Sequence, residues 1–220
     1  MEQHMLVVFP HPDDETFGCG GTIASYARSG MPITYICGTL GQMGRNMGTI
    51  TQATRESLAK IRETELEEAS RILGISKLIK LGLRDKTVEF EDPNALATRI
   101  EQVLREIKPS LVLTHYPGYA IHPDHNAMGA VTIAAVSRLA KQDRPTVYAH
   151  ALQKTSLGPP DVVKDITAVA DVKLAAIEAH HSQSEASFAR DENGKFKDPA
   201  VAARAQTMFT KETFWTYRFE

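Results

Sequence analysis

The stretch "HMLVVFPHPDDETFGCGG", residues 4–21, decides the fold and opens the question of function. Met5 to Phe9 form an unbroken apolar run, the pattern of a strand buried on both faces. The run leads straight into His11, Asp13, Asp14 and Glu15. So many ionisable groups at one strand tip are costly to bury unless they share a partner such as a metal ion. Further along, apolar runs recur at 32–39, 77–82, 110–115 and 146–153, separated by segments of helical period at 20–29, 57–74, 93–107 and 126–142. Gly74 closes the second helix, and Pro93 suits the first turn of the third. Strands joined by helical crossovers predict an α/β fold with a mostly parallel sheet and helices on both faces. Beyond about residue 155 the pattern is less regular. A helix over 171–183, a polar loop over 190–200 and a terminal strand over 212–219 are expected there. The chain reads as a single domain, residues 1–220, with 184–220 as an extension packed on it.

Composition narrows the function. The chain has 220 residues, 42% of them hydrophobic, enough for one well-buried domain. Lys and Arg total 25 against 27 Asp and Glu, a net charge of −2 that offers no electrostatic footprint for nucleic acid and no basic face for a membrane. Cys19 and Cys37 can build neither a disulfide framework nor a four-thiolate zinc site and read as small core residues. The run 5–9 is far too short for a secretory or membrane-spanning segment. These features point to a cytoplasmic protein with a small-molecule partner, and they leave self-association open.

A second charged cluster, His122-Pro123-Asp124-His125, follows the fourth strand and opens a helix. Ligands of doubly wound sheets bind beyond the carboxyl ends of the parallel strands, so both clusters are expected on the same edge. One such cluster alone is compatible with a turn and a helix cap; two at strand tips favour a shared ion. Catalytic zinc takes three protein ligands and keeps one position open. His11, Asp14 and His125 make a two-histidine, one-carboxylate set, which iron(II) also accepts. Asp13, beside a ligand, is then placed to take a proton from water activated by the metal. His122, held protonated by Asp124, would face a developing oxyanion or the leaving amine.

"PHPDDE" (10–15), "GCGGTIA" (18–24) and "HPDHN" (122–126), with "HSQ" (181–183), resemble the LmbE/PIG-L superfamily of zinc-dependent N-acetylglucosaminyl deacetylases. The resemblance runs from residue 5 to about 185. It implies a Rossmann-like fold and hydrolysis of the N-acetyl amide of an amino sugar. It places the zinc ligands on His11, Asp14 and His125, the general base on Asp13, and a histidine with its carboxylate partner on His122 and Asp124. Length and the "GTLGQMGRNMG" stretch (38–48) look most like the bacillithiol-pathway members, which deacetylate N-acetylglucosaminyl malate. The tyrosine that some members carry near the second motif has two candidates, Tyr116 and Tyr119.

Other residues extend the site. Arg62 and Glu65 project into the apolar stripe of the helix 57–74, formed by Leu58, Ile61, Ala69, Ile72 and Leu73. Buried charges need partners or a function. Arg62 is therefore expected to point at the site and bind substrate, oriented by Glu65, and the family often has Arg-x-x-Glu here. The glycine-rich connection 37–52 is long enough to be a substrate loop, with Arg45 and Asn46 as contacts. His180 fits either a site group or a core histidine. His115 is a weaker candidate, and His4 and His150 carry no signal. The expected reaction is metal-assisted amide hydrolysis, with Asp13 or His122 protonating the departing amine. The alternatives are an amidase acting on thiol conjugates of the same sugar and a non-catalytic sugar or metal binder. A nucleotide-binding role is disfavoured, because "GCGGTIA" fits the dinucleotide fingerprint poorly and follows an acidic cluster.

Overall fold

The computed structural model describes residues 3–46, 53–151 and 156–219. The end of the glycine-rich connection and of the strand expected to reach 153 lie outside them. Seven strands form one sheet in the order β3-β2-β1-β4-β5-β7-β6. β1 (Met5–Phe9), β2 (Ile33–Thr39), β3 (Lys77–Leu83), β4 (Leu111–His115) and β5 (Thr146–His150) are parallel neighbours. β7 (Lys211–Thr216) runs antiparallel to β5 and to the edge strand β6 (Val162–Asp165). β1, β2 and β4 are buried at every residue, as their apolar sequences require. β3 and β6, at the two edges, alternate in exposure. The order reverses between β1 and β4, so the switch point of the sheet lies between the two strands that carry the charged clusters.

Alternation along β1 divides the core. Met5, Val7 and Phe9 face α1 (Asp14–Arg28), α2 (Arg55–Leu73) and α5 (Ala170–Ala179), meeting Ile23, Leu66, Leu73 and Ala176. Leu6 and Val8 face α3 (Pro93–Ile107) and α4 (Pro123–Ser137), meeting Ile100, Val131 and Val136. No helix among the described residues is long and apolar enough to cross a membrane.

Several boundaries depart from expectation. The first helix begins at Asp14, not near Gly20, and is interrupted at Cys19 (φ −150°, ψ 19°), which splits α1 into two short stretches. α4 begins at Pro123 and stops at Ser137. The helix expected over 171–183 breaks at His180, which separates α5 from α6 (His181–Phe188). Within the expected polar loop, Asp198 caps α7 (Pro199–Met208) through the Ala200 and Val201 amides. The C-terminal residues supply β7 to the sheet itself.

β7 also completes α1. After the break at Cys19, the amides of Gly21 and Thr22 are the open start of the second half of the helix. They donate to the Glu212 carboxylate at 2.9 and 2.7 Å. Buried Lys173 from α5 reaches the same carboxylate at 2.6 Å. Removing one member of such a group strands the other's charge. Lys173→Met and Glu212→Gln are each expected to lower stability to denaturant by about 3–5 kcal/mol. The double variant should cost clearly less than the sum.

Candidate active site

Beyond β1 the chain is fixed by the buried carboxylate of Glu15. It accepts from the Asp13 amide at 3.2 Å, the Tyr35 hydroxyl at 3.0 Å and the Thr16 hydroxyl at 2.8 Å, and lies 3.2 Å from His180 Nε2. This grip holds Asp13 at φ 102°, a left-handed conformation uncommon outside glycine. Beyond β4, the chain turns into α4, which lies so close to the β4 tip that a Cβ at Gly129 would stand 2.4 Å from the His115 carbonyl oxygen.

The two segments meet. His11 Nδ1 lies 3.1 Å from His125 Nε2 and 3.3 Å from Asp14 Oδ2, and His125 Nε2 lies 3.2 Å from Asp14 Oδ1. Ligands 2.0–2.2 Å from a tetrahedral ion stand about 3.3–3.6 Å apart, so these donor atoms fit one small divalent cation. Burial opposes charge on both His11 and Asp14. The carboxylates of Asp124, Asp14 and Asp85 nevertheless hold the His11 pKa well above its ordinary value. His125, His11 and His115 hold Asp14 well below its own. Two ring nitrogens and a carboxylate that compete for protons in this way form a site that a cation satisfies.

The far nitrogen of His11 faces two carboxylates: Nε2 is 3.1 Å from Asp124 Oδ2 and 3.2 Å from Asp85 Oδ1. Asp124 also accepts from the amides of Lys86 at 2.7 Å and Val88 at 3.1 Å. This corrects the expected pairing of Asp124 with His122. His122 instead caps α4, its Nδ1 accepting from the Asp124 amide at 3.2 Å. An Nδ1 that accepts carries no proton, so the ring is neutral with its proton on Nε2. Burial and the charge on His11 lower its pKa, against the pull of Asp124.

Arg62, 4% exposed, donates to Asp13 Oδ2 at 3.0 Å, the Pro12 carbonyl at 2.5 Å and the Gly41 carbonyl at 3.0 Å. It therefore braces Asp13 instead of presenting its charge to solvent. Gly41 has φ 61°, and a Cβ there would fall 2.0 Å from Arg62 Nη1. Glu65 does not orient Arg62: its carboxylate accepts from the Ser182 amide and hydroxyl, both at 2.7 Å, and so ties α2 to α6. Burial pushes the Asp13 carboxyl up to about 6, against the Arg62 charge and with that of Asp14.

The remaining expected residues lie farther out. The Arg45 side chain is exposed, while its carbonyl accepts from Gln183 Nε2 at 2.9 Å. Asn46 is partly buried beside it. The Tyr119 hydroxyl is 3.3 Å from the Ser156 hydroxyl, and Tyr116 packs on Tyr119 and Tyr217. Asp85 and Glu15 carry no sequence signal of a role, since a single acidic residue in "LRDKTV" and a glutamate opening a helix have ordinary explanations. His115, buried at the end of β4, stacks on His125 at 4.1 Å. His150 packs beside His115 and over Gly18.

The chain belongs to the PIG-L family: residues 6–136 match its description, GlcNAc-PI de-N-acetylase. Across the whole of both chains it is 48% identical to the probable N-acetyl-alpha-D-glucosaminyl L-malate deacetylase 2 of Bacillus cereus. It is 44% identical to the protein of the same name in Bacillus subtilis, over all of this chain and 99% of that one. Among solved structures, the N,N'-diacetylchitobiose deacetylase of Pyrococcus horikoshii is similar at TM-score 0.75 and 26% identity, over 98% of this chain and 84% of that one.

Burial, with the nearby charges of His115 and Lys173, lowers the pKa of His150 to about 3. The unfolded ring titrates near 6.5. Below that pH the unfolded chain binds a proton that the folded chain does not, so stability is full above pH 6.5 and falls as the pH drops toward 3. Urea unfolding at pH 5 and 7.5 should show His150→Gln losing about 1–2 kcal/mol less than the parent on acidification.

Proposed function

We propose that this chain is a metal-dependent N-deacetylase whose substrate is N-acetylglucosaminyl malate, an intermediate of bacillithiol biosynthesis, with zinc as the ion and iron(II) as the alternative. The observation that carries the reading is the convergence of His11 Nδ1 and His125 Nε2, 3.1 Å apart, each within 3.3 Å of an Asp14 carboxylate oxygen, beside Asp13. Similarity to the Bacillus relatives over the full chain supports the substrate.

His11, Asp14 and His125 would hold the ion, which when bound polarises the acetyl carbonyl and acidifies water. Asp13 is the base. It takes a proton from the attacking water and passes it to the departing amine, and its raised pKa suits both transfers. Arg62 keeps the Asp13 carboxylate oriented through one oxygen, leaving the other for the proton. His122, as the neutral tautomer, presents Nε2–H to the oxyanion. Asp124 aligns His11 and fixes its tautomer.

Cations at the rim favour an anionic aglycone. Arg84 and Lys86 are exposed on either side of Asp85, and Arg45 is exposed on the facing loop. Among the described residues none of the three pairs with a carboxylate, whereas Lys77, Lys80 and Arg105 do. Arg84→Gln and Lys86→Gln are expected to raise KM for N-acetylglucosaminyl malate about 3–10-fold each, the effect of one partly exposed charge contact. Neither should change KM for N-acetylglucosamine.

The decisive assay is acetate release from N-acetylglucosaminyl malate with zinc-loaded protein. Asp13→Asn should lower kcat by about 10²–10⁴-fold while retaining the metal content of the parent. Full activity in Asp13→Asn, or a parent that binds zinc and releases no acetate, would overturn the proposal.

A further inference from the structure

Asp85 joins the glycine loop to His11, as Arg62 joins it to Asp13. Its carboxylate is buried at the end of the turn after β3. Oδ1 lies 3.2 Å from His11 Nε2, and Oδ2 accepts from the Met43 amide at 2.8 Å. One oxygen therefore faces a ring of the metal-ligand set, and the other holds the glycine loop. That loop is a tight structure at this point: Gly41 N donates to Thr39 Oγ1 at 3.0 Å, and Gly44 N to the Gly41 carbonyl at 3.0 Å. The Lys86 amide, one residue on, bonds Asp124. Residues 85 and 86 thus stitch the loop, His11 and the start of α4 together.

His11 Nε2 carries one proton and faces two carboxylates. Asp124 accepts from two backbone amides, neither of them in the glycine loop. Asp85 differs, because its second oxygen is satisfied by the loop itself. With the loop seated, the carboxylate is held flat against His11; with the loop displaced, it loses that anchor. We propose that Asp85 is a positioning residue that couples seating of the glycine loop to metal binding by His11. The inference rests on the reading of His11 as a metal ligand. Coupling of this kind is reciprocal: metal on His11 steadies the loop to the same degree that the seated loop tightens the metal. Metal on His11 then adds to the hold that Arg62 already has on the loop at Gly41.

Asp85→Asn separates this role from simple packing. An amide has one acceptor oxygen, so it can serve His11 or Met43 but not both, and its NH2 then opposes the other N–H. Zinc affinity, measured on apo protein by competition with a chromophoric chelator, should fall about 10–100-fold. In the parent, zinc should slow hydrogen exchange at the Met43 amide, and in Asp85→Asn that slowing should disappear. If the variant does not fold, the parent measurement decides: exchange at Met43 that ignores zinc overturns the inference. A variant with lowered Tm but parental zinc affinity also overturns it, since Asp85 is then only structural. A parent that binds neither zinc nor iron(II) overturns the metal site and the inference together. A parent that binds zinc, with Asp85→Asn binding it equally, overturns the inference alone.

Discussion

The parallel pairing of β1 with β4 is the constraint on which the site depends. Met5, Leu6 and Val7 stand opposite Leu111, Val112 and Leu113. That register sets the two strand tips side by side at the point where the strand order reverses, and a crevice opens there as a matter of topology. His11, Asp13 and Asp14 follow one of these tips, and His122, Asp124 and His125 follow the other. The contact across more than a hundred residues of sequence, His11 against His125, is the outcome. The close approach of α4 at Gly129 brings the second cluster within reach of the first.

The fold accommodates an unusual load of buried carboxylates by giving most of them backbone amides and hydroxyls as partners. Glu15, Glu65, Asp85, Asp124 and Glu212 each accept from at least one backbone N–H. Such bonds satisfy a charge without a second side chain having to be ordered. Asp13 is treated differently: its side chain has Arg62 on one oxygen, with burial raising its proton affinity. Asp14, whose Oδ2 takes the His11 amide, is otherwise turned to the imidazoles, so its charge is left for a cation.

Much of this was legible in the sequence, and the failures have physical causes. β1, β2 and β4 stood out because strands covered on both faces need uninterrupted apolar runs, and α3 matches the range its sequence implied. β6 did not, since an edge strand of four residues with alternating exposure carries little signal. α7 was hidden inside a polar stretch, although Asp198 and Pro199 are an ordinary N-cap and first-turn pair. The helical wheel put Arg62 and Glu65 on the inner face correctly but could not name their partners, which come from the Asp13 segment and from α6. Neighbours in sequence proved a poor guide at the start of α4, where Asp124 turns to His11 and leaves His122 only its amide. Asp85 has no local signature at all; only the fold brings it to His11.

The Glu212 carboxylate gives the molecule a direction in time. The helix that begins with Asp14 has its interrupted turn closed by a residue about 190 positions downstream, on the final strand of the sheet. During synthesis the central parallel strands can pair as they emerge, yet the Gly21 and Thr22 amides and the Lys173 ammonium stay without their shared acceptor until β7 has left the ribosome. Closure of the interrupted helix thus waits for the strand that carries Glu212.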